Sequence, residues 1–326
     1  MNTAALVATH RRPDLLRRLL ESLRNCEDAA RLREILVVEN GGRFGAEEVV
    51  RSHAGRLPVR YAFSERANKS AALNHGLGLL DVELIVFFDD DVDVRPGTIS
   101  AYLEAAERHG RRHFFGGRVT PRYETGPPPD WLADALPMSC TGFDLGPAER
   151  THHEFIGNNW AAFREEALEV GGFSSRIGPG SGLVGQETEL QARLIEGGWT
   201  GVYLPDAVVD HYVPAEHLTV AWARRRRYRQ KVAHALLKAP SDGVVEGADA
   251  PIVGGVPRYL WRSLAEQYAR VWRDRLLRPR TRRRVASEMR LAAIRAEMTA
   301  FRMQAAGHPP IDGGDLVSGE PSSGAG

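Results

Sequence analysis

The sequence predicts an α/β fold built on a mostly parallel sheet, followed by a basic helical extension. In the first half of the 326-residue chain, short apolar runs alternate with segments in which leucines recur at helical spacing. Such alternation, with strands that are apolar throughout, is typical of a parallel sheet covered by helices on both faces. After residue 217 the pattern becomes helical and rich in arginine. We expect three regions: an α/β domain at 1–217, a basic amphipathic helical extension at 218–305 and a disordered tail at 306–326.

The first 106 residues contain four strand–helix pairs. The apolar runs 4–8, 34–38, 59–63 and 83–88 are predicted strands. The first helix begins at Arg12-Pro13-Asp14, where proline suits a first-turn position, and its leucines lie on one face. Further helices are expected at 46–53, 70–80 and 96–106. In such sheets, ligands bind at the carboxyl ends of the strands.

The second half is less regular. Strands are expected at 113–119, 154–163, 202–204 and 207–211, with helices at 164–170 and 187–196. Residues 121–150 form a long, proline-rich loop that carries Trp131, and 174–185 is a glycine-rich loop. A loop as long as 121–150 is commonly a functional insertion.

The composition is that of a cytoplasmic protein, at most peripheral to a membrane. The net charge of +1 gives no argument for nucleic-acid binding, and three lysines among 43 basic residues indicate a GC-rich bacterial genome. Two cysteines cannot form a disulfide framework, which favours a reducing compartment. The N-terminal stretch lacks the features of a signal peptide, and no apolar run approaches the ~20 residues that span a bilayer.

Three consecutive acids, Asp89 to Asp91, follow the apolar run 84–88. Burying carboxylates costs several kcal/mol unless cations or donors compensate. In an extended segment Asp89 and Asp91 point to the same side, and their oxygens suit Mg²⁺ or Mn²⁺. The alternative is a solvated loop whose acids meet no ligand.

Five motifs occur in an order that resembles family 2 glycosyltransferases of the GT-A fold. They are VATHRRPDLLRRLLESL, ILVVENGG, ERANKSAALNHGLGLL, FFDDDV and GQETELQARLIEGG, and the resemblance covers about residues 3–230. It implies a metal-dependent, inverting transfer of sugar from a UDP-, GDP- or dTDP-linked donor to an acceptor hydroxyl on an envelope glycan, glycolipid or natural product. It further implies a nucleotide-sugar half at about 1–120 and an acceptor half at about 121–217.

The resemblance assigns donor contacts to five residues. Thr9 and Glu39 would line the base and ribose pocket, although relatives often carry aspartate at the position of Glu39. Lys69 would contact the donor phosphates. Asp89 and Asp90 would face the ribose and sugar.

The resemblance also assigns a metal site and a catalytic base. Asp91 would hold the metal with His211, and Asp210 is the weaker alternative ligand. Glu187 would accept the proton of the acceptor hydroxyl. Glu189 is the alternative base, because relatives commonly show Glu-Asp where this chain has Gln-Glu. Acids in a first helical turn are also stabilised by the helix dipole alone.

Acceptor contacts are predicted at two places. Asn158, Asn159 and Trp160 interrupt an apolar strand, and amides there suggest a polar partner. Trp131, on the long loop, could stack on a sugar or aglycone. For all four, a structural role is the alternative.

The basic extension has several interpretations. Its aromatic and aliphatic residues recur at helical spacing between arginines, which fits a helix packed on the catalytic domain, a peripheral membrane contact on anionic lipid, or a homodimer interface. Arg224, Arg227 and Tyr228 loosely resemble the Q-x-x-R-W signature of processive relatives. Nucleic-acid binding is disfavoured because the aromatics lie on the apolar face.

Three rival functions stay open at this point. A sugar nucleotidyltransferase would need a glycine-rich phosphate loop after the first strand, which VATHRRP lacks. A catalytically inactive scaffold would not need both Asp91 and Glu187. A glycosidase with two carboxylates would leave the nucleotide-pocket motifs unexplained.

Overall fold

A computed structural model describes residues 1–237, 251–278 and 280–306 of the chain. The predicted disordered tail, apart from residue 306, lies outside the described residues. Among the residues described, nine strands form one sheet in the order β3-β2-β1-β4-β8-β6-β9-β5, with β7 paired to β9.

The N-terminal half of the sheet is parallel, as the sequence predicts. Its strands are β1 (Thr3–Thr9), β2 (Glu34–Asn40), β3 (Val59–Ser64) and β4 (Leu84–Asp89), and its helices are α1 (Pro13–Arg24), α2 (Ala46–His53), α3 (Lys69–Leu79) and α4 (Thr98–His109). Every residue of β1 is buried. Burial of each valine or leucine there contributes about 1.5–3 kcal/mol. This half therefore forms a rigid platform whose strand ends meet at one edge.

The second half of the sheet is mixed in direction. It contains β5 (Val92–Val94), β6 (His113–Tyr123), β7 (Arg150–Thr151), β8 (Asn159–Phe163) and β9 (Thr200–Val213). β8 runs antiparallel to β4 and β6, whereas β9 runs parallel to β6 and antiparallel to β5.

Three sequence predictions differ from the structure in this half. The two short strands expected at 202–204 and 207–211 are one strand, β9, with a register shift opposite Gly117 and Arg118. The strand expected at 154–163 begins only at Asn159. Strand β5 was not predicted, because three residues give too little periodicity to detect.

Helices also interrupt the segments expected to be loops. The 121–150 segment contains α5 (Asp130–Ala133) and α6 (Met138–Thr141), and short 3₁₀ helices cover Glu27–Arg31 and Ala215–His217. Helices α7 (Arg164–Glu169) and α8 (Gln186–Glu196) occur where helices were expected.

The C-terminal extension consists of α9 (Val220–Leu237), a small hairpin of β10 (Ile252–Val253) and β11 (Val256–Pro257), α10 (Arg258–Leu277) and α11 (Arg282–Ala305). Helices α9 and α11 pack on the α/β region of residues 1–217, where Ile177 forms a hydrophobic cluster with Val232 of α9 and Ala296 of α11. The buried carboxylate of Glu288 on α11 binds Arg224 of α9 and Arg275 of α10. The extension thus closes over the 121–150 and 174–185 segments.

Candidate active site

The carboxyl ends of β1, β2 and β4 bring the predicted donor residues to one edge of the sheet. Thr9 pairs with Glu39 across β1 and β2, and Ala8 pairs with Asp89 across β1 and β4. A cleft of about 480 Å³ opens there. Its lining includes Thr9, His10, Arg12, Asn40, Lys69, Asp89, Asp90 and Gly180.

Asp90 is held by a hydroxyl and a guanidinium. Thr9 Oγ1 donates to Asp90 Oδ2 at 2.7 Å, and Arg12 Nη1 donates to Asp90 Oδ1 at 3.3 Å. Burial, together with the charge of Asp91, raises the pKa of Asp90 to about 6 despite these two partners. The repulsion within the acid triplet is therefore only partly compensated by protein groups.

Lys69 connects the acid triplet to the predicted base. Its Nζ donates to Asp89 Oδ1 at 2.5 Å and to Glu187 Oε1 at 3.0 Å. Burial disfavours the ammonium, but the charges of Asp89 and Glu187 outweigh this effect and raise the pKa of Lys69 above its usual value. Lys69 is the first residue of α3, and the side chain of Asn68 caps that helix by accepting from the Ala71 N–H.

Asp91 and His211 meet because of the short strand β5. Val92 pairs with His211, and the Tyr212 N–H donates to the Asp91 carbonyl at 2.8 Å. His211 Nε2 lies 3.4 Å from Asp91 Oδ1, while His211 Nδ1 contacts the Ser139 carbonyl at 2.6 Å. The second carboxylate oxygen, Asp91 Oδ2, accepts from Arg12 at 2.9 Å.

Asp91 and His211 fit a divalent cation. Asp91 Oδ1 is buried and has no hydrogen-bond partner among the described residues. Burial would raise the pKa of Asp91, but His211, Arg12 and Lys69 together lower it to about 2, so the carboxylate is charged. The described residues contain no group of three or more His, Cys, Asp or Glu side chains that could hold a metal. Mg²⁺ and similar ions at phosphate sites need only one or two protein carboxylates, because the substrate supplies further oxygens.

The two candidate bases differ in their surroundings. Glu187, in the first turn of α8, lies behind Lys69 of the cleft lining, and its Oε1 accepts from Lys69 Nζ at 3.0 Å and from Gln186 Nε2 at 2.6 Å. Glu189 is 4% exposed and forms two bonds with Arg193, at 2.6 and 2.7 Å. Arg193 also donates to the Gly172 carbonyl. The Glu189–Arg193 pair therefore anchors α8 to the turn at Gly172, and Glu187 is the acid that binds Lys69 of the cleft lining.

Glu187 occupies space that a glycine leaves open. A Cβ atom on Gly157 would lie 2.1 Å from the carboxyl carbon of Glu187. Real Cβ contacts are never so short, so any larger residue at 157 would displace the carboxylate. The small size of residue 157 thus helps to define where Glu187 can lie.

Glu39 lies beside the cleft and is not part of its lining. It is 1% exposed, and its carboxylate accepts from the backbone N–H groups of Phe44 and Ala46 and from the Tyr61 hydroxyl at 2.6, 3.3 and 2.8 Å. These bonds shape the turn before α2. The adjacent Asn40 lines the cleft instead.

Two of the predicted acceptor residues lie in the core. Asn159 is fully buried, and its amide donates to the Arg118 and Ala207 carbonyls while its oxygen accepts from Tyr102. Trp160 is also fully buried and stacks on Phe87 with ring centroids 4.5 Å apart. Their interruption of the apolar strand reflects structural hydrogen bonding and packing, not contact with an acceptor.

The other two predicted acceptor residues have different settings. Asn158 is buried, and its side-chain oxygen has no partner within the described residues. Trp131 is partly buried on α5 and lines a separate cleft next to α9 and α11.

The sequence analysis did not identify Arg12 or Arg226 as site residues. Arg12 follows the end of the first strand by three residues. Its position at the same edge of the sheet as the acids could therefore have been predicted. Arg226 belongs to a run of four arginines, and sequence alone does not show which of them faces inward. In the structure its Nε is buried without a partner among the described residues.

Polar residues of α3 hold the glycine-rich 174–185 loop over the cleft. Asn68 Nδ2 donates to the Ser175 carbonyl, Ser70 Oγ to the Ile177 carbonyl, and Asn74 exchanges two bonds with Phe173. A Cβ on Gly180, which has φ +100°, would lie 2.0 Å from the Ala67 carbonyl oxygen. The ERANKSAALN segment therefore serves both as the site of Lys69 and as the support of this loop.

The fold and the site define a glycosyltransferase of the GT-A class. A sequence model described as Glycosyl transferase family 2 matches residues 5–171, and the chain belongs to this family. The chain is 27% identical over 242 residues to the succinoglycan biosynthesis protein ExoM of Rhizobium meliloti (strain 1021), covering 72% of this chain and 74% of that protein. Family membership decides against the nucleotidyltransferase and glycosidase alternatives.

Solved structures agree on the fold. The mannosyltransferase PcManGT from Pyrobaculum calidifontis, in complex with GDP-Man and Mn²⁺, aligns with a TM-score of 0.54 at 19% identity over 92% of this chain and 86% of that one. GalNAc-T7 with UDP, GalNAc and Mn²⁺ aligns with a TM-score of 0.54 at 14% identity over 76% of this chain but only 53% of that one. S. aureus TarS in complex with UDP-GlcNAc gives 0.51 at 11% identity over 94% and 92% of the two chains.

Proposed function

We propose that this family 2 glycosyltransferase is a metal-dependent, inverting enzyme that transfers sugar from a nucleotide-diphosphate donor to an acceptor hydroxyl. The observation that carries the proposal is the bridge from Asp89 through Lys69 to Glu187. It joins the acidic end of β4, which lines the cleft, to a carboxylate on α8 through the ammonium of Lys69. That arrangement supplies both a donor side and a base.

The donor side has the charges that a nucleotide diphosphate requires. Arg12 and Lys69 lie beside the carboxylates of the triplet, within a cleft large enough for a nucleotide-sized group. The cations can bind diphosphate oxygens, and the carboxylates can accept from ribose and sugar hydroxyls. Three structural neighbours are complexes with UDP, GDP-Man or UDP-GlcNAc, which supports the same class of donor here.

Asp91 and His211 would hold the divalent metal, Mn²⁺ or Mg²⁺. When bound, the metal would neutralise charge that develops on the departing diphosphate. The contact of His211 Nδ1 with the Ser139 carbonyl orients the ring so that Nε2 faces Asp91. The Mn²⁺ in two structural neighbours supports this assignment.

Glu187 would act as the base. In an inverting transfer the acceptor hydroxyl attacks the anomeric carbon opposite the leaving group, and a carboxylate removes its proton. Glu187, on α8, is connected through Lys69 to Asp89 at the strand end that would bind the donor. Glu189 is engaged by Arg193, so the geometry favours Glu187.

The acceptor is proposed to be a glycan, glycolipid or natural-product hydroxyl. ExoM is named for succinoglycan biosynthesis, which supports a glycan as the acceptor class. A catalytically inactive scaffold is the second candidate, but a scaffold would not require the partly buried, ion-paired charges of Asp89, Lys69 and Glu187. Such charges are costly to bury and are expected where they perform chemistry.

A panel of UDP-, GDP- and dTDP-sugars, screened by thermal shift with and without Mn²⁺, tests this proposal. We expect one donor to raise the Tm only when Mn²⁺ is present, and the Asp91→Ala variant to lose that rise because it removes the metal ligand. Asp14→Ala, on the exposed first turn of α1, is the matched control and should retain the full rise. If no nucleotide sugar stabilises the protein under any condition, the proposal is wrong.

The C-terminal helices would also make a peripheral contact with an anionic membrane surface. No helix in the described part of the chain has the length and apolar composition needed to cross a bilayer. Yet α10 exposes large apolar side chains: Tyr268 at 48%, Trp272 at 71%, Leu276 at 65% and Leu277 at 72%. Arginines surround them, as lipid headgroups with negative charge would require. The surrounding arginines are Arg262, Arg270, Arg273 and Arg278.

A further inference from the structure

A second cleft lies between the α5–α6 segment and helices α9 and α11. Its volume is about 600 Å³, and Trp131 and Pro137 form part of one wall. Its residues differ entirely from those of the donor cleft. Five cationic side chains line it: Arg226, Arg227, Lys231, Arg282 and Arg290.

The charge of this second cleft is strongly unbalanced. Its lining contains a single acid, Asp134, which pairs with Arg282 at 3.3 Å. Arg227, Lys231 and Arg290 have no ion-pair partner among the residues that the structure describes. Like charges that converge in a concave surface repel one another and raise the local concentration of anions. The cleft therefore has the electrostatics of an anion-binding site.

Arg226 provides an independent indication of a ligand. Its side chain is half-buried, and its Nε–H is buried without a hydrogen-bond partner among the described residues. A buried guanidinium donor without a partner is costly, and a bound oxyanion would satisfy it. Burial lowers the pKa of Arg226, although the nearby charge of Glu187 partly opposes that effect.

The second cleft adjoins the catalytic groups through α6. The Ser139 carbonyl contacts His211, and the neighbouring Leu136 and Pro137 line the second cleft. Arg226 in turn senses the charges of Glu187 and Asp89. Arg226, which lines the second cleft, thus connects that cleft electrostatically to the proposed base.

We propose that the second cleft binds an anionic group, a phosphate or a carboxylate, carried by the acceptor. This inference rests on the proposed function, because it assigns the acceptor side of the same reaction. Arg226 and its neighbours bind the oxyanion, and Trp131 offers an apolar ring against which a sugar packs. The size of the cleft suits a small charged group with one or two sugars and excludes a nucleic-acid duplex.

Calorimetric titration of the full chain with inorganic pyrophosphate and, separately, with glucuronate tests the proposal. EDTA in the buffer removes divalent metal and with it metal-dependent binding at the donor cleft. The variant R227Q/R290Q neutralises two unpaired cations of the second cleft. Arg225→Gln is the matched control, because Arg225 lies two residues before Arg227 on α9 but does not line this cleft. The variant Arg12→Gln removes a cation of the donor cleft, so weaker binding by this variant would show that the anions bind there instead.

We expect at least one anion to bind the wild-type chain and to bind R227Q/R290Q at least about tenfold more weakly, since the loss of even one charge-assisted bond is worth about a factor of ten. Arg225→Gln should bind like the wild type. Pyrophosphate binding alone indicates a phosphate-linked acceptor, and glucuronate binding alone indicates an acidic sugar. Both results support the proposal.

The proposal is overturned if neither anion binds, or if Arg12→Gln weakens binding while R227Q/R290Q does not. A separate thermal shift with nucleotide sugar and Mn²⁺ should give R227Q/R290Q the full wild-type response. A failure of the wild type in that assay would contradict the proposed function. The titration in EDTA would still show whether the second cleft binds an anion.

Discussion

At the scale of single residues, the site depends on how Glu187 is positioned. Its carboxylate is bounded by Gly157 on one side and held by Lys69 and Gln186 on the other. Glu189, two residues further along α8, is tied into a structural ion pair with Arg193. Two acids in one helical turn thus have separate tasks, which their sequence spacing alone does not reveal.

Replacing Glu187 by glutamine should abolish the chemistry and leave the donor bound. A general base contributes about 10²–10⁴-fold, so kcat should fall by that factor. Stabilisation by donor and Mn²⁺, measured by thermal shift, should stay near the wild-type value.

Glu189→Ala is the contrasting variant for this prediction. It removes one partner of a buried ion pair and should lower the free energy of unfolding by about 3 kcal/mol. Full transfer activity in Glu187→Gln would move the role of base elsewhere.

Gly157→Ala should impair catalysis without removing any charged group. The added methyl would displace the Glu187 carboxylate, and a misplacement of about 1 Å can cost about 10²-fold in rate. The measurement is kcat under saturating donor.

Gly78→Ala is the matched control, because nothing lies within 4 Å of a Cβ at that exposed helical position. It should keep full activity and gain up to about 1 kcal/mol of stability. Equal rates for the two alanine variants would show that Gly157 does not set the position of Glu187.

The residues that could be predicted from sequence are those at strand ends. Thr9, Lys69 and the Asp89–Asp91 triplet lie together in the structure, because parallel strands carry their ends to a common edge. Arg226 could not be selected among its neighbouring arginines, since the side that faces inward depends on how α9 packs. Asn159 and Trp160 were predicted to contact the acceptor but lie in the core. A polar residue in an apolar strand can bind a ligand, or it can form hydrogen bonds inside the protein, and the sequence does not distinguish the two.

At the scale of elements, the short strand β5 and helix α10 bear most directly on the proposed site and surface. Strand β5 pairs with β9 and thereby places His211 beside Asp91, although β5 itself has only three residues. Helix α10 presents an apolar face that α9 and α11 leave uncovered, and its exposed residues alternate with arginines. One element brings together the proposed metal ligands, and the other carries the surface proposed to contact a membrane.

Leu276→Asp should weaken binding to vesicles that contain anionic lipid. The change removes an exposed apolar group worth about 1.5–3 kcal/mol on burial and adds repulsion, so the partition coefficient should fall at least about tenfold. Cosedimentation with anionic and with neutral vesicles measures the effect.

Leu79→Asp provides the matched control, because Leu79 is 40% exposed on α3, away from α10. It should bind vesicles like the wild type. A stable dimer that Leu276→Asp dissociates, with no vesicle binding by the wild type, would assign the α10 face to self-association instead.

At the scale of the whole molecule, the extension and the catalytic region share hydrophobic clusters. Leu132 and Val213 pack with Val285 of α11, and Ile177 packs with Ala296. The boundary predicted at residue 217 falls between β9, which ends at Val213, and α9, which begins at Val220. The packing across it could not be predicted, because helical periodicity identifies an apolar face but not the surface that covers it.

Ala296→Asp should destabilise the whole chain in one transition. Ala296 is fully buried, and an uncompensated carboxylate there should lower the free energy of unfolding by about 3 kcal/mol or more. Chemical denaturation followed by fluorescence and by circular dichroism should give coincident curves shifted to lower denaturant.

Ala265→Asp, at an exposed position of α10, is the control and should change stability by less than about 1 kcal/mol. If Ala296→Asp gave two separate transitions, with the catalytic region unaffected, the extension would be an independent unit.

The ammonium of Lys69 has a consequence for the order in which substrates add. It donates hydrogen bonds to one oxygen of Glu187 and one of Asp89 at the same time. Before the donor binds, one oxygen of the proposed base is therefore already a hydrogen-bond acceptor. A diphosphate entering the cleft offers this cation a stronger partner and releases the carboxylate toward the acceptor side. Initial-rate kinetics should consequently show compulsory order, with the nucleotide sugar first and the acceptor second.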